Sequence, residues 1–323
     1  MNPPHSTAHR TWVNPVLPQR ADPHLSLHGG RYWFTASVPS FDAIELRSAN
    51  SIAGLASAPA HTVWRKHASG PMSWHVWAPE LHRVNGEWVI YFAASEAGDI
   101  WKLRMYALSN PHDDPLQGEW VERGQIHTPL DSFALDATTF EHQGQRYLVW
   151  AQKDPAIAGN TNLYIAPLAD ACTLAGPPVL LSKPELPWEC VGFLVNEGPA
   201  VLQRDGKLFI AYSASATDAN YCMGLLWADA LADPLDASAW HKAPHPVFGS
   251  ANGQYGPGHN SFTTTPDGRT DLLVYHARNY RDITGDPLND PNRHTRVQAF
   301  SWGADGLPRF GTPVADGPYH LPE

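Results

Sequence analysis

Five times along this chain, an acidic or polar residue opens a short apolar run, a turn containing Gly follows, and a strongly hydrophobic β-type run comes next. The five openers are Asp22 (A-D-P-H-L), Glu80 (A-P-E-L), Asp136 (L-D-A-T-T-F), Glu197 (N-E-G-P-A-V) and His259 (G-H-N-S-F), separated by 58, 56, 61 and 62 residues. A period of that length restricts the chain to architectures built by repeating one supersecondary unit.

The unit can be read strand by strand. The turn glycines are Gly29-Gly30, Gly86, Gly144, Gly206 and Gly268. After them come R-Y-W-F-T-A-S (31–37), E-W-V-I-Y-F-A-A-S (87–95), Q-R-Y-L-V-W-A-Q (145–152), K-L-F-I-A-Y-S-A-S (207–215) and T-D-L-L-V-Y-H-A (270–277). β-Branched and aromatic runs bounded by Asn-Gly, Gln-Gly and Asp-Gly turns are hairpins. A third run follows each time, as at 44–48, 103–109, 163–168, 224–228 and 296–302, and most units carry a weaker fourth, such as Glu119-Trp120-Val121. Four antiparallel strands repeated five times predict an all-β, five-bladed β-propeller, and no long amphipathic helical pattern competes with it.

Five units of roughly 60 residues account for nearly the whole chain of 323, so 1–323 reads as a single propeller domain. A net charge of −10 excludes the basic face that nucleic acid demands, and no apolar stretch is long enough to span a membrane. The first ten residues, M-N-P-P-H-S-T-A-H-R, hold no hydrophobic signal core, which predicts a cytoplasmic protein, or a secreted one whose leader has been removed. Cys172, Cys190 and Cys222 are odd in number and irregularly spaced, and read as reduced packing residues.

In a propeller the first strand of each blade lines the central axis, so openers at one end of those strands form a ring at the channel mouth. The loops between second and third strands, and the links between blades, share that face. They carry Phe41, Trp74, Trp77, Phe133, Trp188, Phe193 and Tyr255, and the long irregular stretch 278–294 overhangs the last blade. Aromatic rings rimming a polar pocket suit the C–H faces of sugars, and the alternative for each is packing between blades. Thr11-Trp12-Val13 is expected to pair with a terminal blade and close the ring. Carboxylates crowded around one axis repel unless put to use, and two of them facing across a pocket are the equipment for cleaving a glycosidic bond.

The set A-D-P-H-L, W-A-P-E-L, L-D-A-T-T-F, N-E-G-P-A-V and G-H-N-S-F, with R-V-Q-A-F-S-W-G-A-D-G-L-P at 296–308, resembles glycoside hydrolase family 43 across about 14–316. The resemblance implies an inverting mechanism. Asp22 would be the general base, Glu197 the general acid, and Asp136 the carboxylate that orients the acid and raises its pKa. It places His259 near a hydrated central cation, commonly calcium, the alternative being a hydrogen-bonded histidine without metal, and it implies no cofactor for the chemistry itself. Arg296 matches an arginine that reaches the sugar's hydroxyls, with a cross-strand ion pair as its alternative. Glu80, just after a turn, reads as structural. Phe41, Trp74, Trp77 and Phe193 are the expected sugar contacts.

Trp188-Glu189-Cys190 and Asn289-Asp290-Pro291-Asn292 are similar to motifs of five-bladed fructosidases and invertases, but N-D-P-N stands at the wrong end of the chain and Arg-Asp-Pro is absent, so both are read as chance. Within the family, N-E-G-P-A, W-E-C-V-G-F and G-P-G-H-N-S-F look most like arabinan-acting members. The expected partner is an arabinose-containing oligosaccharide or polysaccharide, attacked from its end at α-1,5 linkages, with endo-arabinanase and β-D-xylosidase as alternatives. A non-catalytic sugar-binding propeller would keep the aromatics but has no use for Asp22, Asp136 and Glu197 together.

Overall fold

A computed structural model describes residues 10–322. The start of the chain, where no signal core is read, lies outside the described residues, as does Glu323. Antiparallel sheets follow one another in chain order as five blades. Blade 1 comprises Ala21–His28, Arg31–Ser37, Ala43–Ala49 and His61–Arg65, and blade 2 comprises Trp74–Val84, Glu87–Glu96, Asp99–Asn110 and Val121–Gln125. Blade 3 runs from Ala134–His142 to Val179–Ser182, and blade 4 from Asn196–Arg204 to His241–Lys242. Helix among the described residues is confined to Ile52–Leu55 and two short 3-10 turns, and no helix is long and apolar enough to cross a membrane.

Blade 5 departs from the four-strand expectation. Its sheet holds three strands, Tyr255–Thr264, Asp271–Arg278 and His294–Ala299. The free edge of the third is met by the beginning of the chain: Leu17 bridges Thr295, and the Asn14 side chain both donates to Val297 O and accepts from Val297 N. Thr11–Asn14 in turn pairs antiparallel with Gly317–His320, Thr11 opposite His320. The ring is thus closed by hydrogen bonds between its two ends, with Thr11-Trp12-Val13 paired to the Gly317–His320 strand and not to a blade sheet.

The blades are held by side chains that alternate along the second strands. In blade 2, Trp88, Ile90 and Phe92 face blade 1 and pack with Trp33, Ile44 and Leu46, whereas Val89 and Tyr91 face blade 3 and pack with Leu148 and Trp150. The same division recurs at the other boundaries, so five apolar clusters fill the five gaps between blades. A strand buried on both faces reads as a continuous hydrophobic run, as the sequence does at each second strand. Each fully buried large side chain contributes about 1.5–3 kcal/mol, enough to fix the blades around a channel too polar to hold itself together.

The first strands carry the detail that matters for chemistry. Each has a bulge in its pairing with the second strand, between Ala21 and His24, Trp77 and Glu80, Leu135 and Thr138, Glu197 and Ala200, and Gly258 and Ser261. One residue in every bulge is left-handed: Asp22 (φ 54°), Ala78 (45°), Asp136 (59°), Gly198 (56°) and His259 (41°). These positions, not the five openers, are equivalent. Glu197 precedes its bulge residue by one, and Glu80 follows Ala78 by two, mid-strand instead of just after a turn. Left-handed backbone disfavours residues with a Cβ, and its retention at Asp22, Asp136 and His259 marks a site where strain is tolerated for side-chain direction.

Candidate active site

Asp22, Asp136, Glu197 and His259 line one cavity of about 700 Å³ at the mouth of the channel. They come from four different blades, and the bulges bring them together. His259 Nδ1 lies 3.4 Å from Asp22 Oδ1 and 3.9 Å from Asp136 Oδ2. The Gly198 amide, next to Glu197, donates to Asp136 Oδ2 at 3.0 Å. Tyr221 donates its hydroxyl to Glu197 Oε1 at 2.8 Å. Ser37 donates to Asp22 Oδ2 at 2.5 Å, and Arg293 reaches Asp22 Oδ1 at 3.3 Å.

These surroundings separate the carboxyls electrostatically. Burial alone would raise all three. At Asp22 that rise is outweighed chiefly by the charges of Arg293 and His259, which hold it well below the ordinary carboxylate range. At Glu197 burial and then the neighbouring Asp136 charge push the carboxyl up to about 7, against the opposing pull of Tyr221. Asp136 is raised to about 6 by burial, with Asp22 adding to the rise and His259 and the Gly198 amide opposing it. Near neutrality the well therefore holds an ionised carboxylate beside Arg293 and, beside Tyr221, a carboxyl drawn toward its protonated form. Burial would lower His259, but the charges of Asp136, Asp22, Glu197 and Glu80 outweigh it and shift the imidazole toward the protonated form.

The rim is mixed. Trp77 and Phe193 line the cavity as expected, and Phe133 joins them. Phe41 does not line it: it stands behind Trp77 with ring centroids 5.7 Å apart and planes at 80°. Trp74 also lies outside the lining, beneath Lys66 Nζ at 4.4 Å from its ring centroid. Trp188 is drawn into the interblade core against Tyr212. Arg296, expected to reach sugar, is fully buried and ion-paired with Asp316 away from the cavity. Arg296 is held inside blade 5 opposite Tyr275, and Arg293, from the preceding loop, takes the place at the well. Trp101, on the blade 2 hairpin, lines the cavity and was not singled out from sequence.

Ser37, Ser213 and His276 are further site residues that sequence reasoning missed. They lie at or near the ends of second strands, directly opposite the bulges, Ser37 pairing with Ala21, Ser213 with Glu197 and His276 with Gly258. A polar residue closing an otherwise apolar strand was their available signal. The two motifs read as chance are structural. Glu189 is buried among the Asn196 amide, the Tyr212 hydroxyl and Lys242 Nζ, and Asp290 accepts from Tyr280 and faces Arg278.

A calcium ion is a hard cation that takes six to eight oxygen ligands. Near His259 the carboxylate oxygens belong to Asp22 and Asp136, already engaged by Ser37, Arg293 and Gly198. Two carboxylates so engaged do not supply the six to eight oxygens of a directly held calcium, so an ion beside His259 would keep its own water shell. Deeper in the channel, His24, Glu80 and His82 bring ligand atoms within 4.8 Å of one another. His24 Nδ1 accepts the Leu81 amide at 3.2 Å, so its other nitrogen carries the hydrogen, and His82 Nε2 is bonded to Glu80 Oε2 at 2.8 Å. The trio is a hydrogen-bonded plug, in keeping with a structural Glu80.

Residues 12–308 match the family described as Glycosyl hydrolases family 43. The chain is 56% identical over 322 residues to an extracellular exo-α-(1→5)-L-arabinofuranosidase of Streptomyces avermitilis, covering 98% of this chain and 67% of that protein. It is 54% identical over 311 residues to α-L-arabinofuranosidase 43 of Humicola insolens, covering 95% and 64%. The crystal structure of an α-L-arabinofuranosidase from Lactobacillus brevis superposes with a TM-score of 0.92 at 55% identity, covering 94% of this chain and 98% of that one. The chain thus spans about two thirds of the length of the two curated relatives. A propeller cavity lined by one carboxyl held toward its ionised form and another drawn toward its protonated form carries the base and the acid that glycoside hydrolysis needs. The chain belongs to glycosyl hydrolase family 43.

Proposed function

We propose that this protein is an inverting exo-α-L-arabinofuranosidase that releases arabinose from the ends of α-1,5-linked arabinan or arabino-oligosaccharides. Asp22, kept ionised, takes a proton from water as the oxygen attacks the anomeric carbon. Glu197, kept protonated, gives its proton to the departing glycosidic oxygen as that bond breaks. Asp136, tied to the Gly198 amide, orients the acid and discourages its ionisation. The observation that carries this reading is the opposite tuning of Asp22 and Glu197 within one cavity.

Exo action is supported by the walls. Asp286, Pro287 and Leu288 from the 278–294 stretch and Gly192 and Phe193 from the 184–196 stretch both line the cavity, closing a groove into a pocket. The substrate follows the arabinofuranosidases to which the chain is more than half identical, and the extracellular setting named for the Streptomyces protein favours action outside the cell over the cytoplasmic expectation. The test is sugar release from debranched arabinan, xylan fragments and aryl arabinofuranosides by wild type, Asp22→Ala and Glu197→Gln. Arabinose monomer from arabinan, lost in Asp22→Ala, supports the proposal. Oligomers or xylose as the main product, or binding without release, would overturn it.

A further inference from the structure

Tyr221 bonds directly to Glu197 and is not accounted for by the three-carboxyl scheme. Its hydroxyl donates to Glu197 Oε1 at 2.8 Å. Its ring lies parallel to the His276 imidazole, at an interplanar angle of 4° and a centroid distance of 5.8 Å. His276 Nδ1 accepts the Asp22 amide at 3.0 Å, so one stacked pair touches both the acid and the strand that carries Asp22. The chain makes room for this ring at Gly258, where a Cβ would stand 2.5 Å from Tyr221 Cε1 and 2.8 Å from Ser213 Oγ. No side chain fits there without displacing the tyrosine. The Tyr221 amide donates to Asp218 O, anchoring the ring to the loop whose Ala216, Thr217 and Asp218 line the cavity.

Resting on the role of Glu197 given above, we propose that Tyr221 is a positioning residue for the acid, aiming its carboxyl and stabilising the carboxylate left after the proton has gone to the leaving oxygen. A phenol that donates to a carboxyl favours the ionised form, so its bond strengthens as proton transfer proceeds and stabilises the transition state more than the ground state. Burial holds the Tyr221 phenol far above its ordinary range, so it remains a donor at every pH at which the enzyme works.

The test is Tyr221→Phe, which keeps the ring and its stack. A hydrogen bond to a developing charge is worth about 10–100-fold in rate. Loss of kcat/KM in that range is expected on arabino-oligosaccharides, whose leaving group needs a proton. On a dinitrophenyl arabinofuranoside, whose leaving group does not, the loss is expected to stay within a few-fold, while on the oligosaccharides the basic limb of the pH profile is expected to move upward. Gly258→Ala, which pushes the ring away, is expected to reproduce the pattern. Titration of the Glu197 carboxyl by carbon NMR is expected to show a higher midpoint in Tyr221→Phe whether or not any substrate is turned over, which separates this proposal from the choice of substrate. Equal losses on both leaving groups, or an unmoved midpoint, would overturn it.

Discussion

The Gly198 amide donates to Asp136 Oδ2 at 3.0 Å, which ties the third carboxylate of the well to the backbone of the strand that presents Glu197. Gly198 is left-handed (φ 56°), and a Cβ there would come within 3.1 Å of the His259 ring. The glycine of N-E-G therefore meets two constraints together, a backbone conformation and a close approach. Gly198→Ala is expected to lower kcat at least 10-fold and to destabilise the fold by about 1–3 kcal/mol. Steady-state kinetics and thermal unfolding of that variant check both.

Asp22 and Glu197 are expected to differ in their dependence on the leaving group. Glu197→Gln should retain most of its activity on dinitrophenyl arabinofuranoside and lose about 10²–10⁴-fold on arabino-oligosaccharides, because general acid help matters only where the departing oxygen is basic. Asp22→Ala should lose activity on both, since the water must be activated in each case. Comparable losses for both variants on both substrates would contradict the division of roles.

The raised carboxyl at Glu197 also predicts a pH effect on stability. A carboxyl whose folded value lies above its unfolded one stabilises the fold while protonated, and that contribution fades as pH climbs from the ordinary Glu range toward about 7. Glu197→Gln cannot ionise and is expected to escape the loss, gaining Tm relative to wild type at pH 8 and not at pH 4.5. Asp22 works in the opposite sense. Its depressed value adds stability at ordinary pH that disappears only in strong acid, so Asp22→Asn should be destabilised at pH 7 and approach wild type below the ordinary Asp range. Thermal melts across pH test both.

Much of this site was legible in the sequence, and the exceptions share a cause. The repeated openers located the blades, and Thr11-Trp12-Val13 does join the two ends of the chain, though its partner is the Gly317–His320 strand and not a blade sheet. A bulge shifts register by one residue and leaves no mark in the hydrophobic pattern. That is why Glu80 looked equivalent to Asp22, although its counterpart in blade 1 is His24. Arg293 was missed for Arg296 because a loop, not strand alternation, aims it. Tyr221 follows an irregular link and shows its role only where Gly258 yields space to it.

Arg278 is expected to govern the shape of the pocket. Buried behind it, Arg278 donates to Thr217 O at 2.8 Å and Pro287 O at 2.7 Å, joining the 286–288 wall to the 216–218 loop that also lines the cavity. Arg278→Met should loosen the wall, raising KM for short arabino-oligosaccharides several-fold with a smaller change in kcat, and allowing some internal cleavage of linear arabinan. Product sizes by chromatography decide this, and release of monomer alone at wild-type KM would show that the wall stands without it.

The central claim is that Asp22 activates water to attack directly, in the same well as an acid, Glu197, that gives its proton to the departing oxygen. Proton NMR of the first sugar released from an α-arabinofuranoside, recorded before mutarotation, tests that claim most directly. The account predicts the β-anomer as the initial product. Initial appearance of the α-anomer would mean a covalent intermediate and would contradict the assignment of Asp22 as base.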